Sequence, residues 1–169
     1  CEFRVMSNSD WGWQLWYTNE DGDKRCQRWY GDDLTAQGIQ NGQVPEEQLP
    51  PNYDAYEKSG KPKIKRYVSM LVYNIGEATF QIMDLVPETL QKQFSAACLN
   101  PKWGTPLGYD FLWTRTGEKL STEHTLQPQP PYELPPEILQ RYEDANLDMQ
   151  AHARNLSLDL SLIHISEPT

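Results

Sequence analysis

Between residues 63 and 126 the chain changes its hydrophobic period three times, and the order of those changes leaves few folds open. KRYVSMLVYN (Lys65–Asn74) and ATFQIMDLV (78–86) are rich in β-branched and aromatic residues, and Ile75-Gly76-Glu77 between them suits a hairpin. From Pro87 the period becomes helical. Leu90, Phe94, Ala97 and Cys98 recur at i, i+4, i+7 and i+8, with Gln91, Lys92 and Gln93 on the far side. Pro87 suits the first helical position, where its missing N–H would be unbonded anyway. After Asn100-Pro101 a strand resumes as YDFLWTR (109–115), then turns at Thr116-Gly117-Glu118 into 119–126. Strand pair, helix, strand pair predicts a mainly β fold with α: a small barrel with a helix closing one end. On this reading Cys98 is a core residue rather than a nucleophile.

Upstream, residues 1–6 read as a strand and Ser7-Asn8-Ser9-Asp10 as a turn. WGWQLWYT (11–18) places Trp11, Trp13, Leu15 and Tyr17 on one face and Gly12, Gln14 and Trp16 on the other. Asn19-Glu20-Asp21-Gly22-Asp23 is a hairpin turn, and KRCQRWY (Lys24–Tyr30) returns as a basic strand. Residues 31–60 are polar, contain three prolines, and read as a long loop with a short helix over 33–40. Such a loop in a compact domain is functional or mobile. Its acids Asp32, Asp33, Glu46 and Glu47 have no His or Cys beside them, so they read as solvated loop residues and not as a metal site.

At 169 residues the chain suffices for one domain and a tail. No apolar run is long enough to span a membrane. No secretory signal pattern is present, and a chain beginning at Cys1 rather than Met is read as a fragment. Cys1, Cys26 and Cys98 are odd in number and far apart, which predicts no disulfide framework and a reducing compartment. The net charge of −9 argues against nucleic acid only as an average: residues 129–169 carry −5, leaving −4 on the first 128. Lys58, Lys61, Lys63, Lys65 and Arg66 form one basic run and Lys24, Arg25 and Arg28 a second. Local potential, not net charge, steers a polyanion, although a lone lysine run is more often a solvated edge.

The strand faces supply candidates for a nucleic-acid site. In 64–74 the even positions Ile64, Val68, Met70 and Val72 read as core, and Lys65, Tyr67, Ser69, Leu71 and Tyr73 as a wetter face. In 109–115 the odd positions are Tyr109, Phe111, Trp113 and Arg115, a row of rings ending in a guanidinium. Rings on a curved sheet stack bases while cations track phosphates. The competing reading is that the rings are core, and Arg115 tips the choice slightly toward a groove. The candidate nucleic-acid-binding set is therefore Arg25, Arg28, Trp29, Lys63, Lys65, Arg66, Tyr67, Tyr73, Tyr109, Phe111, Trp113 and Arg115. Catalysis finds no support: there is no phosphate-cradling glycine loop, nucleophile elbow or HExxH spacing, and His124 is a lone strand histidine. No enzyme activity and no cofactor are expected.

A resemblance to a family rests on KPKIKRYVSMLVYN, the ETLQKQF helix, NPKWGTPLGYDFLWTRTGEKLSTEHTLQPQP and LPPEIL, with FRVMSNSDWGWQLWYT and KRCQRW at the front. Over residues 3–139 the chain resembles the single-stranded-DNA-binding, helix-destabilising replication proteins of tailed bacteriophages. The resemblance implies an OB-like five-stranded β-barrel that coats single-stranded DNA in phage replication, recombination or repair, in the host cytoplasm. It also implies an acidic C-terminal region available to phage replication proteins. Several members carry a Cys/His zinc subdomain early in the barrel. This chain has no Cys or His after Trp29 at that place, so zinc is not carried over.

The resulting organisation is an OB-like domain over 1–127, a Pro-rich connector over 128–136, an acidic helix over 137–159 and a tail over 160–169. The expected helix carries Ile138, Tyr142, Ala145 and Met149 on one stripe. LSLIHISEPT (160–169) is similar to translated sequencing-adaptor sequence, so it reads as non-native and the true C-terminus as missing. Two other classes compete: a phage virion or assembly protein whose aromatic faces meet protein, and a Trp-rich carbohydrate-binding module.

Overall fold

The computed structural model describes residues 1–35, 37–148 and 163–165. In chain order the strands are β1 (Glu2–Val5), β2 (Asp10–Thr18), β3 (Lys24–Tyr30), β4 (Lys65–Asn74), β5 (Thr79–Leu85), β6 (Asp110–Thr116), β7 (Glu123–Pro128) and β8 (Ile163–Ile165). The helices are α1 (Glu88–Leu99) and α2 (Pro136–Ala145), so the fold is mainly β with α. The chain forms two compact units, Asp10–Val68 on the one hand and Cys1–Ser9 with Ser69–Thr169 on the other.

In the Asp10–Val68 unit, β2 lies between β3 and the opening of β4. The β2–β3 hairpin runs from Gly12↔Tyr30 to Thr18↔Lys24. Its turn is set by Asn19, whose Oδ1 accepts from the N–H groups of Asp21 (3.0 Å) and Asp23 (2.8 Å). Gly12 has no substitute there: a Cβ would lie 2.1 Å from the Trp29 carbonyl oxygen and 3.0 Å from the Tyr67 ring. The core is Leu15, Trp29 and Ile39, covered by Trp13, Leu34, Val44, Leu49, Tyr53 and Ile64.

Half of that core comes from the segment read as a polar loop. Its apolar residues are too widely spaced to show a period, yet each anchors a turn. No helix forms among the described residues of 33–40, where turns take its place. The segment is also fastened to β2. Thr18 N–H donates to Asn52 O (3.1 Å) and Asp54 N–H to Trp16 O (2.8 Å). Residues 54–63 then fold back on themselves, with Lys63 N–H on Asp54 O (2.8 Å) and Tyr56 N–H on Lys61 O (2.9 Å).

In the other unit β1 is central, between β4 and β6, with β7 beyond β6 and β5 beyond β4. The registers are Phe3↔Asn74 to β4, Phe3↔Phe111 to β6 and Trp113↔Leu126 between β6 and β7, all antiparallel. β8 pairs in parallel with β5, Ile82↔His164. No pairing joins β5 to β7 among the described residues, and the sheet is open there. α1 packs against both strands instead.

The link is made by glutamines expected on the far side of α1. Gln93 Nε2 donates to His124 O (3.0 Å) while its Oε1 accepts from Leu126 N–H (2.6 Å), the pair of bonds a neighbouring strand would make to β7. Gln91 Nε2 donates to the carbonyls of Leu85 (2.8 Å) and Val86 (3.2 Å) at the end of β5. Helical period identifies an apolar face but not a side-chain amide that caps a strand edge. Gln93→Leu is therefore expected to cost about 1–3 kcal/mol, because it strands a partly buried N–H and C=O. Urea denaturation beside the exposed control Lys92→Leu checks it.

The core of this unit is aromatic. The Phe111 ring lies 5.6 Å from Phe3, 5.3 Å from Phe94 and 5.1 Å from Tyr109, centroid to centroid. Leu71, Tyr73, Phe80 and Ile82 form a second cluster, covered by Ile138 and Tyr142 of α2 and by Leu147. β4 is thus buried on both faces from Ser69 to Asn74. Met149 and the rest of the expected acidic helix lie outside the described residues.

One ion pair is wholly interior. Arg4 Nε meets Asp110 Oδ1 at 2.7 Å, both side chains at most 2% exposed. Arg4 also donates to the carbonyls of Leu107 (3.2 Å) and Tyr132 (3.0 Å), and Tyr132 Oη donates to the other Asp110 oxygen. The connector is thereby tied to the start of β6. Burial, with the hydrogen bond to Asp110 adding to it, pushes the Tyr132 phenol up to about 12. What this contributes to stability is complete below the unfolded phenol's value and is lost as pH rises through about 12.

Candidate nucleic-acid interface

The sequence-derived candidates divide between the two units, and burial separates them further. Trp29, Tyr67, Tyr73, Tyr109, Phe111 and Trp113 are all buried, none more than 4% exposed. This corrects the expectation that the odd faces of β4 and β6 present rings to bases, since a ring without solvent-facing area cannot stack on one. Tyr109, Phe111 and Trp113 face Phe3, Phe94, Trp103 and His124. Tyr73 lies under α2. Arg115 is exposed because β6 emerges from the core at Thr114, and so its charge says nothing about the row behind it. Burial, with a smaller contribution from Cys98, pushes the Tyr109 phenol up to about 12, and burial raises the Cys98 thiol.

The second basic run is occupied locally. Lys24 pairs with Asp54, Arg25 lies 3.6 Å from Asp23, and Arg28 donates to Gln14 Oε1 (3.2 and 3.1 Å). The Arg28 guanidinium also lies 4.1 Å from the Tyr67 ring centroid. The first run differs. Lys58, Lys61, Lys63 and Lys65 are exposed, and no ion pair involves them among the described residues. Lys58, Lys61 and Lys63 sit on the folded-back segment 54–63.

Three rings outside the candidate set are half-exposed in the same unit: Trp11 (41%), Trp16 (46%) and Tyr56 (45%). Lys63 Nζ lies 5.8 Å from the Tyr56 ring centroid, and the Arg66 guanidinium 5.3 Å from that of Trp11. Because Gly12 meets Tyr67, strand alternation puts Gly12, Gln14 and Trp16 on the same face as Lys65 and Tyr67. Trp11 and Arg66 belong to the opposite face. The segment holding Tyr56 and Lys63 is hydrogen-bonded to the backbone of Trp16 itself. Trp16 and Tyr56 therefore stand beside Lys63 and Lys65 in an open, cationic surface. A signal for Trp16 existed in the sequence: it is the large ring on the side of β2 that carries Gly12 and Gln14. Tyr56 had none beyond its place ahead of the lysines.

Among the described residues no three His, Cys, Asp or Glu side chains gather as a metal set, and no helix is long and apolar enough to cross a membrane. No protein-family model, curated protein or solved structure matches the chain.

Proposed function

We propose that the chain binds and coats single-stranded DNA in phage DNA replication, recombination or repair, in the host cytoplasm. The observation that carries this reading is the surface of the Asp10–Val68 unit on which half-exposed Trp16 and Tyr56 adjoin the exposed Lys63 and Lys65. Rings stack bases without regard to sequence, and lysines follow the phosphates. A duplex hides the faces of its bases, so such a surface prefers single strands.

The proposed scaffold is an OB-like barrel made of β1, β4, β5, β6 and β7. Connectivity supports it: β1 pairs with β4 and β6, β4 with β5, β6 with β7, and α1 falls between β5 and β6 in the chain. The Asp10–Val68 unit is inserted between the first and second of these strands. The acidic residues toward the C-terminus are the proposed docking point for replication proteins.

Fluorescence anisotropy with single-stranded and duplex oligonucleotides across a salt series tests the reading. Replacing Lys63, Lys65 and Arg66 with Ala is expected to weaken single-strand binding and to flatten its salt dependence by about 0.7 for each phosphate no longer neutralised. Trp16→Ala is expected to cost about 1–3 kcal/mol in binding with the melting temperature unchanged. Equal affinity for duplex, or a triple variant with the wild-type salt slope, refutes the proposed surface.

A further inference from the structure

The turn between β6 and β7 is built in a way that folding alone does not require. Leu120, at its tip, is 106% exposed. Lys119 before it takes a left-handed φ of 51°, which a residue with a Cβ adopts only against steric resistance. The turn is nonetheless held in one shape. Ser121 Oγ donates to Glu118 O at 2.7 Å and accepts from Glu118 N–H at 3.3 Å. The N–H groups of Ser121 and Thr122 reach the carbonyls of Glu118 (3.0 Å) and Lys119 (3.2 Å). Gly117, at φ 82°, closes the turn where a Cβ would lie 2.1 Å from Ser121 O.

Behind the tip is a concavity lined by Trp113, Thr114, Arg115, Gly117, Glu118 and Lys119. Glu118 shares it with the two cations, so it is no open basic patch, and what the turn presents outermost is the leucine. A braced turn that combines backbone strain with a fully solvated apolar side chain is of the kind that gathers at functional sites.

We propose that Leu120 is a wedge that enters between neighbouring bases of a DNA strand, with Arg115 and Lys119 at the flanking phosphates; this rests on the single-strand-binding reading above. Inserted between two bases, an aliphatic side chain leaves water and separates their stacked faces, and cations on either side hold the strand in register with it. The wedge supplies what a surface of rings does not: it opens stacks instead of extending them, which disfavours hairpins and reannealing in the bound strand.

The test uses the full chain and a single-stranded oligonucleotide carrying adjacent aminopurines, whose fluorescence rises on unstacking, with anisotropy of an end label reporting affinity. Wild type is expected to raise the signal, Leu120→Ser to lose most of the rise while still binding, and Leu120→Met to keep it. Circular dichroism melting should not distinguish the variants, since the residue buries nothing. If Leu120→Ser binds and unstacks like wild type, the wedge is overturned and the binding reading stands. If wild type does not bind single strands, both fall. If the Leu120→Ser change shows instead in sedimentation as altered self-association, the leucine meets protein and the proposal is overturned.

Discussion

Asp110→Ala is expected to cost about 3–5 kcal/mol of folding free energy, a large part of the roughly 5–15 kcal/mol that holds a domain of this kind together. The cause is less the missing attraction than what remains: the Arg4 guanidinium, 2% exposed, would stay charged in the interior with only the carbonyls of Leu107 and Tyr132 to solvate it. Tyr132 would lose the acceptor for its hydroxyl in the same step. Removing both charges is a different matter. An Arg4→Met, Asp110→Leu double variant is expected to recover most of the loss, since apolar replacements of a buried pair are often neutral or better. Equilibrium urea denaturation of the two variants gives both numbers. A single variant within about 1 kcal/mol of wild type would mean that water reaches the pair.

Trp113→Ala is expected to be comparably damaging, at about 3–5 kcal/mol of stability, and to leave single-strand affinity per folded molecule unchanged. The indole is 1% exposed, and its Nε1–H donates to His124 Nδ1 at 3.2 Å. Truncation opens a large cavity and leaves that nitrogen unsatisfied. The contrast with Trp16→Ala is the useful one, because the two tryptophans are expected to divide cleanly between folding and binding. Denaturation midpoints and anisotropy at a temperature where both variants are folded resolve it. A stable Trp113→Ala with weakened single-strand affinity would return this ring to the groove.

Local signals were legible wherever the structure is local. The Asp-Gly turn, both arms of the β2–β3 hairpin, β4, β5, α1 and the start of β6 lie within a residue or so of where period and turn chemistry place them. Faces were less legible. Alternation shows that a strand has two faces but not which one is covered, and β4 is covered on both, by α2 on the Leu71 and Tyr73 side. A helix far downstream leaves no trace in the period of the strand it buries. Residues 31–60 misled for a related reason: Leu34, Ile39, Val44 and Leu49 enter the core singly, each from its own turn, so there was no repeat to detect. Hence the lysines of the candidate site lie on exposed positions, while every ring assigned to it by face lies inside. Trp16 and Tyr56 became candidates only through exposure, which a sequence does not carry.

The central position of β1 bears on how the protein is made. Its partners are residues 72–74 on one edge and 110–112 on the other. A ribosome adding about 5–20 residues each second reaches the second edge on the order of 5–20 s after completing β1. Throughout that interval Phe3 and Val5, both buried in the finished molecule, are without their partners, whereas the Asp10–Val68 unit already has all of its residues. The nascent chain is therefore a finished insert with a sticky leader, and Glu2 and Arg4, alternating with the two apolar residues, are the charges that keep that leader from pairing with other chains before its own sheet exists.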